Sequence, residues 1–332
     1  MKVAAVYMNS VLGNVEKNLK VAESYIKEAA EKQVEIIALP EFFTTGFAIT
    51  PKMISSIIPS SKTLDIMKEW VKKYHVTIGG SYLEFDAQKQ EIYNTYSLVL
   101  STGEVYQHRK DIPTAAENFC YTYGDEKSCF DTPIGRVGIA MCWEMIRHNT
   151  IRRMLGKVDF VMAGSCWWNL CKEDGEDIYN MLSEPNKQLA LKAPQNLAKL
   201  LGVPVIHASH KSSFNGSSLF DETKMCTRPI VGMVQIINGE GEPLTILEEE
   251  NVPDLILEDI ELDTKLRTSH TVYQSESSDY WVCPMPEGLV KGFEMLNQKY
   301  EEIYIKETLP AIKQACIKNA SYLGEENHTI SK

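Results

Sequence analysis

Three predicted strands in this chain each end on a group that can do chemistry: EIIALP (35–40) leads to Glu41, VYQHR (105–109) to Lys110 and RVGIAM (136–141) to Cys142. A carboxylate, an ammonium and a thiol are the three groups that hydrolysis of a carbon–nitrogen bond needs. The thiol attacks, the carboxylate carries its proton, and the fixed cation takes up the negative charge of the tetrahedral intermediate. No histidine is required. Each residue also has an ordinary reading, since a strand-end cysteine is equally a buried structural residue and a lone lysine ahead of Asp111 and Pro113 is normally solvated. What raises the set above these readings is its placement, because ligands of open α/β sheets collect at the carboxyl ends of strands.

Those ends must be held by secondary structure. Val137 to Ala140 reads as a buried strand, and WEMIRHNTIRRML (143–155) has helical spacing. Cys142 is therefore expected on a strand-to-helix elbow, where the first amides of the helix favour a thiolate. Lys2 to Met8 reads as a central strand, and Asn14 opens an amphipathic helix through Leu19, Ala22, Ile26 and Ala29. A helix is expected over 61–74, strands over 77–85 and 92–101, and a long irregular segment with a function of its own over 111–128. The strand at 159–165 ends at Cys166, Trp167 and Trp168, which serve either as pocket walls or as core. A helix over 179–201 is expected to break at Pro185 and Pro194, and the strand over 202–210 carries His207 and His210 near its end. From 228 to 262 the pattern is a meander of strands closing a sheet. The last element is a helix over 287–318, whose apolar stripe (Leu289, Phe293, Leu296, Tyr300, Ile303) is expected to pack on a second subunit.

With 332 residues the chain suits one large α/β or β-sandwich unit, and 44% hydrophobic with 24% charged residues is the profile of a soluble globular protein. A formal net charge of -11 without a basic stripe argues against a nucleic-acid partner. The run MKVAAVYMNS (1–10) is too short for a signal core or a membrane span. Eight cysteines without paired C-x-x-C spacing fit a reducing compartment, with the cytoplasm as the expected location. Cys166 and Cys171, the closest pair, have no neighbouring histidine and do not read as a metal site.

LPEFFTTGF (39–47), HRKDIPTAAEN (108–118) and GIAMCWE (138–144), in this order and spacing, resemble the nitrilase superfamily of carbon–nitrogen hydrolases over about residues 1–265. The resemblance implies an α/β fold, a four-layer α-β-β-α sandwich. It implies Glu41 as general base, Lys110 as oxyanion stabiliser, Cys142 as the nucleophile that forms a thioester, and a second glutamate, matched here by Glu117, that orients Lys110 and the substrate. It also implies a homodimer or higher homo-oligomer, with residues 266–332 as a C-terminal extension at the subunit interface.

In the resulting cycle the Trp143 amide joins Lys110 at the oxyanion, ammonia leaves, and a water activated by Glu41 frees the acid. No metal and no organic cofactor enters it. The expected pocket is lined by Phe42 and Phe43, by the 111–128 segment and by Cys166, Trp167 and Trp168. Met145, Ile146 and Arg147 depart from the asparagine usual after the Cys-Trp-Glu run in nitrilases, which favours an amide or N-carbamoyl substrate over a nitrile. Two rivals are a dyad of Cys142 with His207 or His210 and a non-catalytic ligand-binding or scaffold protein, against which the intact Glu41, Lys110 and Cys142 count.

Overall fold

The computed structural model describes residues 1–60, 62–125, 127–221, 223–231, 233–247, 254–262, 282 and 287–314. Among these residues twelve strands form two six-stranded halves. The first has the order β5 (Val105–Arg109), β4 (Glu91–Val99), β3 (Thr77–Asp86), β2 (Ile36–Ala38), β1 (Lys2–Met8) and β14 (Leu255–Asp259). The second runs β6 (Cys129–Thr132), β7 (Gly135–Met141), β8 (Phe160–Gly164), β9 (Val205–His210), β12 (Val234–Ile237) and β13 (Pro243–Leu247). They join where Tyr7 and Met8 of β1 run parallel to Ser209 and His210 of β9. A separate hairpin pairs β10 (Ser213–Ser217) with β11 (Met225–Pro229).

The period-two alternation of strand side chains builds the layers. Val3, Ala5 and Tyr7 meet Val137, Ile139, Met141, Phe160 and Met162 in a core between the sheets. Ala4, Val6 and Met8 face the other way, onto α1 (Val15–Glu31) and α3 (Thr63–Tyr74). On the second sheet Ala140, Val161 and Ala163 face α4 (His148–Met154) and α5 (Glu176–Leu201). The result is the expected four-layer α-β-β-α sandwich. Asn14 caps α1 as the sequence indicates, its side chain accepting from the Lys17 amide.

Several elements differ from the sequence reading. A further helix, α2 (Pro51–Ser60), precedes α3. Pro185 and Pro194 lie inside one continuous 26-residue α5. Tertiary packing outweighs the hydrogen bonds they remove, with Ala190, Ala193, Pro194 and Leu197 buried and Asn186 bonded to Trp167, Trp168 and Asn169. The C-terminal strands do not form one meander. β12 and β13 make an edge hairpin, while β14 crosses to the other sheet and pairs antiparallel with β1, where Ile256 enters the inter-sheet core and Leu255 the helix-side core.

The last helix, α6 (Glu287–Ile303), continues through a π-helical turn at Tyr304–Thr308. Its buried residues Phe293, Leu296, Tyr300 and Tyr304 pack on the chain's own surface, with Phe293 against Trp143 and Trp168 and Tyr300 against Phe119. Residues 315–318 of the expected helix lie outside the described residues, as do most residues between 263 and 286 and the side chain of Leu289. Among the described residues no helix is long and apolar enough to cross a membrane.

Candidate active site

Glu41 leaves the end of β2, Lys110 directly follows β5 and Cys142 directly follows β7, and the fold brings all three together. Two glycines permit the approach. A Cβ on Gly164, the last residue of β8, would lie 2.9 Å from the Glu41 amide nitrogen. A Cβ on Gly124 would meet the Arg109 carbonyl oxygen at 2.3 Å, and the Gly124 amide donates to the Lys110 carbonyl at 2.8 Å, folding the 111–128 segment back over β5. Cys142 has φ 49°, a left-handed conformation that costs a non-glycine residue on the order of 1–3 kcal/mol and recurs at functional sites.

The side chains form one buried network. Lys110 Nζ donates to Glu41 Oε1 at 2.9 Å and to Glu117 Oε2 at 2.7 Å. Glu41 also accepts from Asn94 Nδ2 and from the Cys166 amide, each at 2.9 Å. Glu117 Oε2 accepts further from the Thr114 amide at 3.0 Å and from the Tyr121 hydroxyl. Cys142 Sγ and one carboxylate oxygen from each glutamate lie within 4.8 Å of one another. Two carboxylates and a thiol are also a conceivable ligand set, but the Lys110 ammonium bonds both carboxylates and supplies a cation there.

Electrostatics assign different states to these groups. Burial pushes Glu41 up to about 7, against the pull of Lys110. Burial alone would discharge Lys110, but the carboxylates of Glu117 and Glu41 outweigh it and hold the ammonium well above its ordinary range. Burial, reinforced by the Glu41 charge, pushes the Cys142 thiol well up as well. The resting group is therefore a thiol, not the thiolate expected from helix amides. The physical reason includes the local structure, since a short 3-10 turn (Cys142–Ile146) follows β7 and α4 begins only at His148. Activation must then come from a base, and a carboxylate with its pKa near 7 beside the thiol suits that task. Turnover should accordingly fall as pH drops through about 7, because protonated Glu41 accepts nothing; a kcat/KM profile between pH 5 and 9 measures this limb.

Residues 2–176 match the family described as carbon-nitrogen hydrolase. The chain belongs to that family. Among the relatives of this carbon–nitrogen hydrolase are nitrilase homolog 2 of Dictyostelium discoideum, 25% identical over 284 residues covering 81% of this chain and 78% of that protein, and an omega-amidase of Mus musculus, 34% identical over 140 residues covering 39% of this chain and 50% of that protein. A cyanide hydratase of Armillaria gallica is 28% identical over 211 residues, 57% of this chain and 58% of its own length. A solved carbon-nitrogen hydrolase from Helicobacter pylori G27 has the same fold, with a TM-score of 0.65 at 16% identity over 81% of this chain and 91% of that one. The protein is a nitrilase-superfamily hydrolase of carbon–nitrogen bonds.

The hydrolase places the other sequence-expected residues unevenly. Phe42 stacks on Phe47 and lies 6.0 Å from the Tyr121 ring, whose hydroxyl bonds Glu117, so it borders the site. Phe43 does not. It points into the core beneath α3, edge-on to Tyr82, from the turn at 41–45 in which Phe42 takes a left-handed φ of 54°. Cys166 serves through its backbone on Glu41. Trp167 donates to Asn186 at 3.0 Å, and Trp168 packs on Phe293. Trp143 heads the turn after Cys142, and its ring lies 4.4 Å from Phe293. Beside these rings a cavity of about 220 Å³ is walled by Pro113, Thr114, Trp143, Arg147 and, from α6, Phe293 and Asn297.

The histidines of the rival dyad are engaged elsewhere. His207 bonds Ser165, and His210 bonds Ser10 and donates to the Glu41 carbonyl, while burial pushes both down to about 4 and keeps them neutral. Of the other carboxylates in the 111–128 segment that could stand in for Glu117, Asp125 caps its own turn at Lys127, and Glu126 is outside the described residues. Sequence reasoning missed Asn94 and Tyr121. Asn94 carried a signal, since an amide in the buried strand IYNTYSLV needs a polar partner; Tyr121 carried none beyond its place in the 111–128 segment.

Proposed function

We propose that this carbon–nitrogen hydrolase cleaves a small amide or N-carbamoyl compound to an acid and ammonia through a thioester on Cys142. Glu41 takes the Sγ proton as sulfur bonds the substrate carbon, and Lys110 Nζ with the Trp143 amide stabilises the oxyanion. Collapse breaks the carbon–nitrogen bond, the proton on Glu41 passes to the departing nitrogen, and ammonia leaves. Glu41 then deprotonates a water that attacks the thioester, and the thiol regains that proton as the acid departs.

The observation that carries the choice of substrate is Glu117 Oε1. It is buried and has no hydrogen-bond partner, although Oε2 of the same carboxylate is fully engaged. A buried acceptor left open beside the thiol calls for a donor from the substrate. An amide or carbamoyl NH2 supplies one, and a nitrile nitrogen does not. Association into a homodimer or larger homo-oligomer belongs to the same reading. With Phe293, Leu296 and Tyr300 of α6 buried on their own chain, the helices after Cys142 are the expected contact.

Ammonia release across matched amides, N-carbamoyl compounds and nitriles tests this function. The expected result is turnover of an amide or carbamoyl compound with none of the nitrile of the same acyl group. Turnover of nitriles alone overturns it in favour of a nitrilase, and silence across the panel with an unreactive Cys142 favours a binding protein.

A further inference from the structure

Glu144 stands two residues after Cys142, and His108 two residues before Lys110. Both are fully buried. Glu144 Oε2 accepts from the Met141 amide, just ahead of Cys142, at 2.8 Å. Oε1 accepts from the Asp111 amide, just after Lys110, at 2.9 Å. The His108 ring reaches the same carboxylate at 2.9 and 3.1 Å through Nε2, and its Nδ1 donates to the Lys127 carbonyl at 2.8 Å. One carboxylate thus ties together the backbone flanking both groups, and the histidine fixes that carboxylate to the strand that carries the lysine.

We propose that His108 and Glu144 are positioning residues that hold Cys142 and Lys110 in register for the reaction. The arrangement accounts for how Cys142 keeps its positive φ, because the Met141 amide on one side and the 3-10 turn that carries Glu144 on the other are pinned by one side chain. The charges agree with it. Both ring nitrogens of His108 face acceptors; against burial, Glu144 and the Lys127 carbonyl hold His108 above its usual range, and, again against burial, His108 and the amides it accepts from hold Glu144 well below the usual carboxylate range. Other charged groups nearby are paired. Asp111 takes Arg147 Nη1 at 2.7 Å and Arg153 Nη2 at 2.9 Å.

This inference rests on the proposed roles of Cys142 and Lys110, so Cys142→Ala is carried alongside. Steady-state kinetics, normalised to folded protein by circular dichroism, are measured for Glu144→Ala, Glu144→Gln, His108→Gln and the double variant. Misplacing reacting groups by about 1 Å costs on the order of a hundredfold, so Glu144→Ala is expected to lose about that in kcat while KM changes by less than about threefold. Glutamine keeps one carbonyl acceptor for a backbone amide and offers an NH2 to neutral His108, so Glu144→Gln should recover about tenfold over alanine. The double variant should lose no more than the worse single variant, as expected of two residues acting as one unit. Should Glu144→Ala fail to fold, the glutamine variants carry the same comparison.

A folded Glu144 variant with wild-type kcat overturns the proposal, as does a loss confined to KM, a glutamine variant no better than alanine, or additive losses in the double variant. If Cys142→Ala retains turnover, the reading of the site itself falls. If Cys142→Ala is dead and Glu144→Ala keeps its kcat, the positioning role alone falls.

Discussion

Replacing Cys142 by alanine abolishes ammonia release, with a loss expected on the order of 10⁴-fold or more, and leaves the fold intact. The side chain is buried at the end of β7, where a methyl group fills most of the same space and the positive φ is no harder for alanine than for cysteine. Serine in its place should be nearly as inactive. Burial already pushes the thiol well above its ordinary range, and Glu41, with its pKa near 7, is a fit base for a thiol but a poor one for an alcohol. Normalised initial rates with a circular-dichroism melt decide the matter. Activity above a few per cent in either variant moves the nucleophile elsewhere, and Cys166 is the first place to look because its backbone already sits on Glu41.

Lys110→Ala is expected to slow the chemical step by roughly two to three orders of magnitude, the usual consequence of losing an oxyanion donor. Here a second effect accompanies the first. Lys110 is the cation bonded to both Glu41 and Glu117, and removing one partner of a buried ion pair typically costs about 3–5 kcal/mol because the remaining charge is left unpaired. The variant should therefore melt at a lower temperature and be slow even when fully folded. Single-turnover rates below the melting transition separate the two. A folded Lys110→Ala with a wild-type rate would remove Lys110 from the chemistry and leave it a structural role.

Much of this arrangement was legible before any coordinates. Glu41, Lys110 and Cys142 were readable because each follows a predicted strand, apolar before Glu41 and Cys142 and mixed before Lys110, and the sandwich brings those ends together. Glu117 came only through the resemblance, and the structure places it on Lys110. The thiol's protonation state was misread because helical spacing after Cys142 does not reveal the 3-10 turn and the break at Arg147 that delay α4. Phe43 was misplaced because the directions of adjacent side chains in the turn after β2 depend on backbone angles, such as the positive φ of Phe42, that the sequence pattern does not reveal. Of the α6 stripe, Phe293, Leu296 and Tyr300 are buried on the chain's own surface, a contact that amphipathic spacing alone does not specify. His108 and Glu144 sit inside the quoted motifs, yet their pairing spans 36 positions in sequence and shows only when β5 and β7 are placed in space.

The central claim is a covalent bond between Cys142 and the acyl group of the substrate. Intact-mass and peptide mass spectrometry on enzyme acid-quenched during turnover of its best amide tests it most directly, with Glu117→Gln as a second sample in which slower turnover should let the adduct accumulate. The account predicts a mass increase equal to the acyl group, on the peptide carrying Cys142 and on no other. Product formed with no adduct at Cys142, or an adduct on Cys166 or Cys120 that follows the kinetics of turnover, would contradict it.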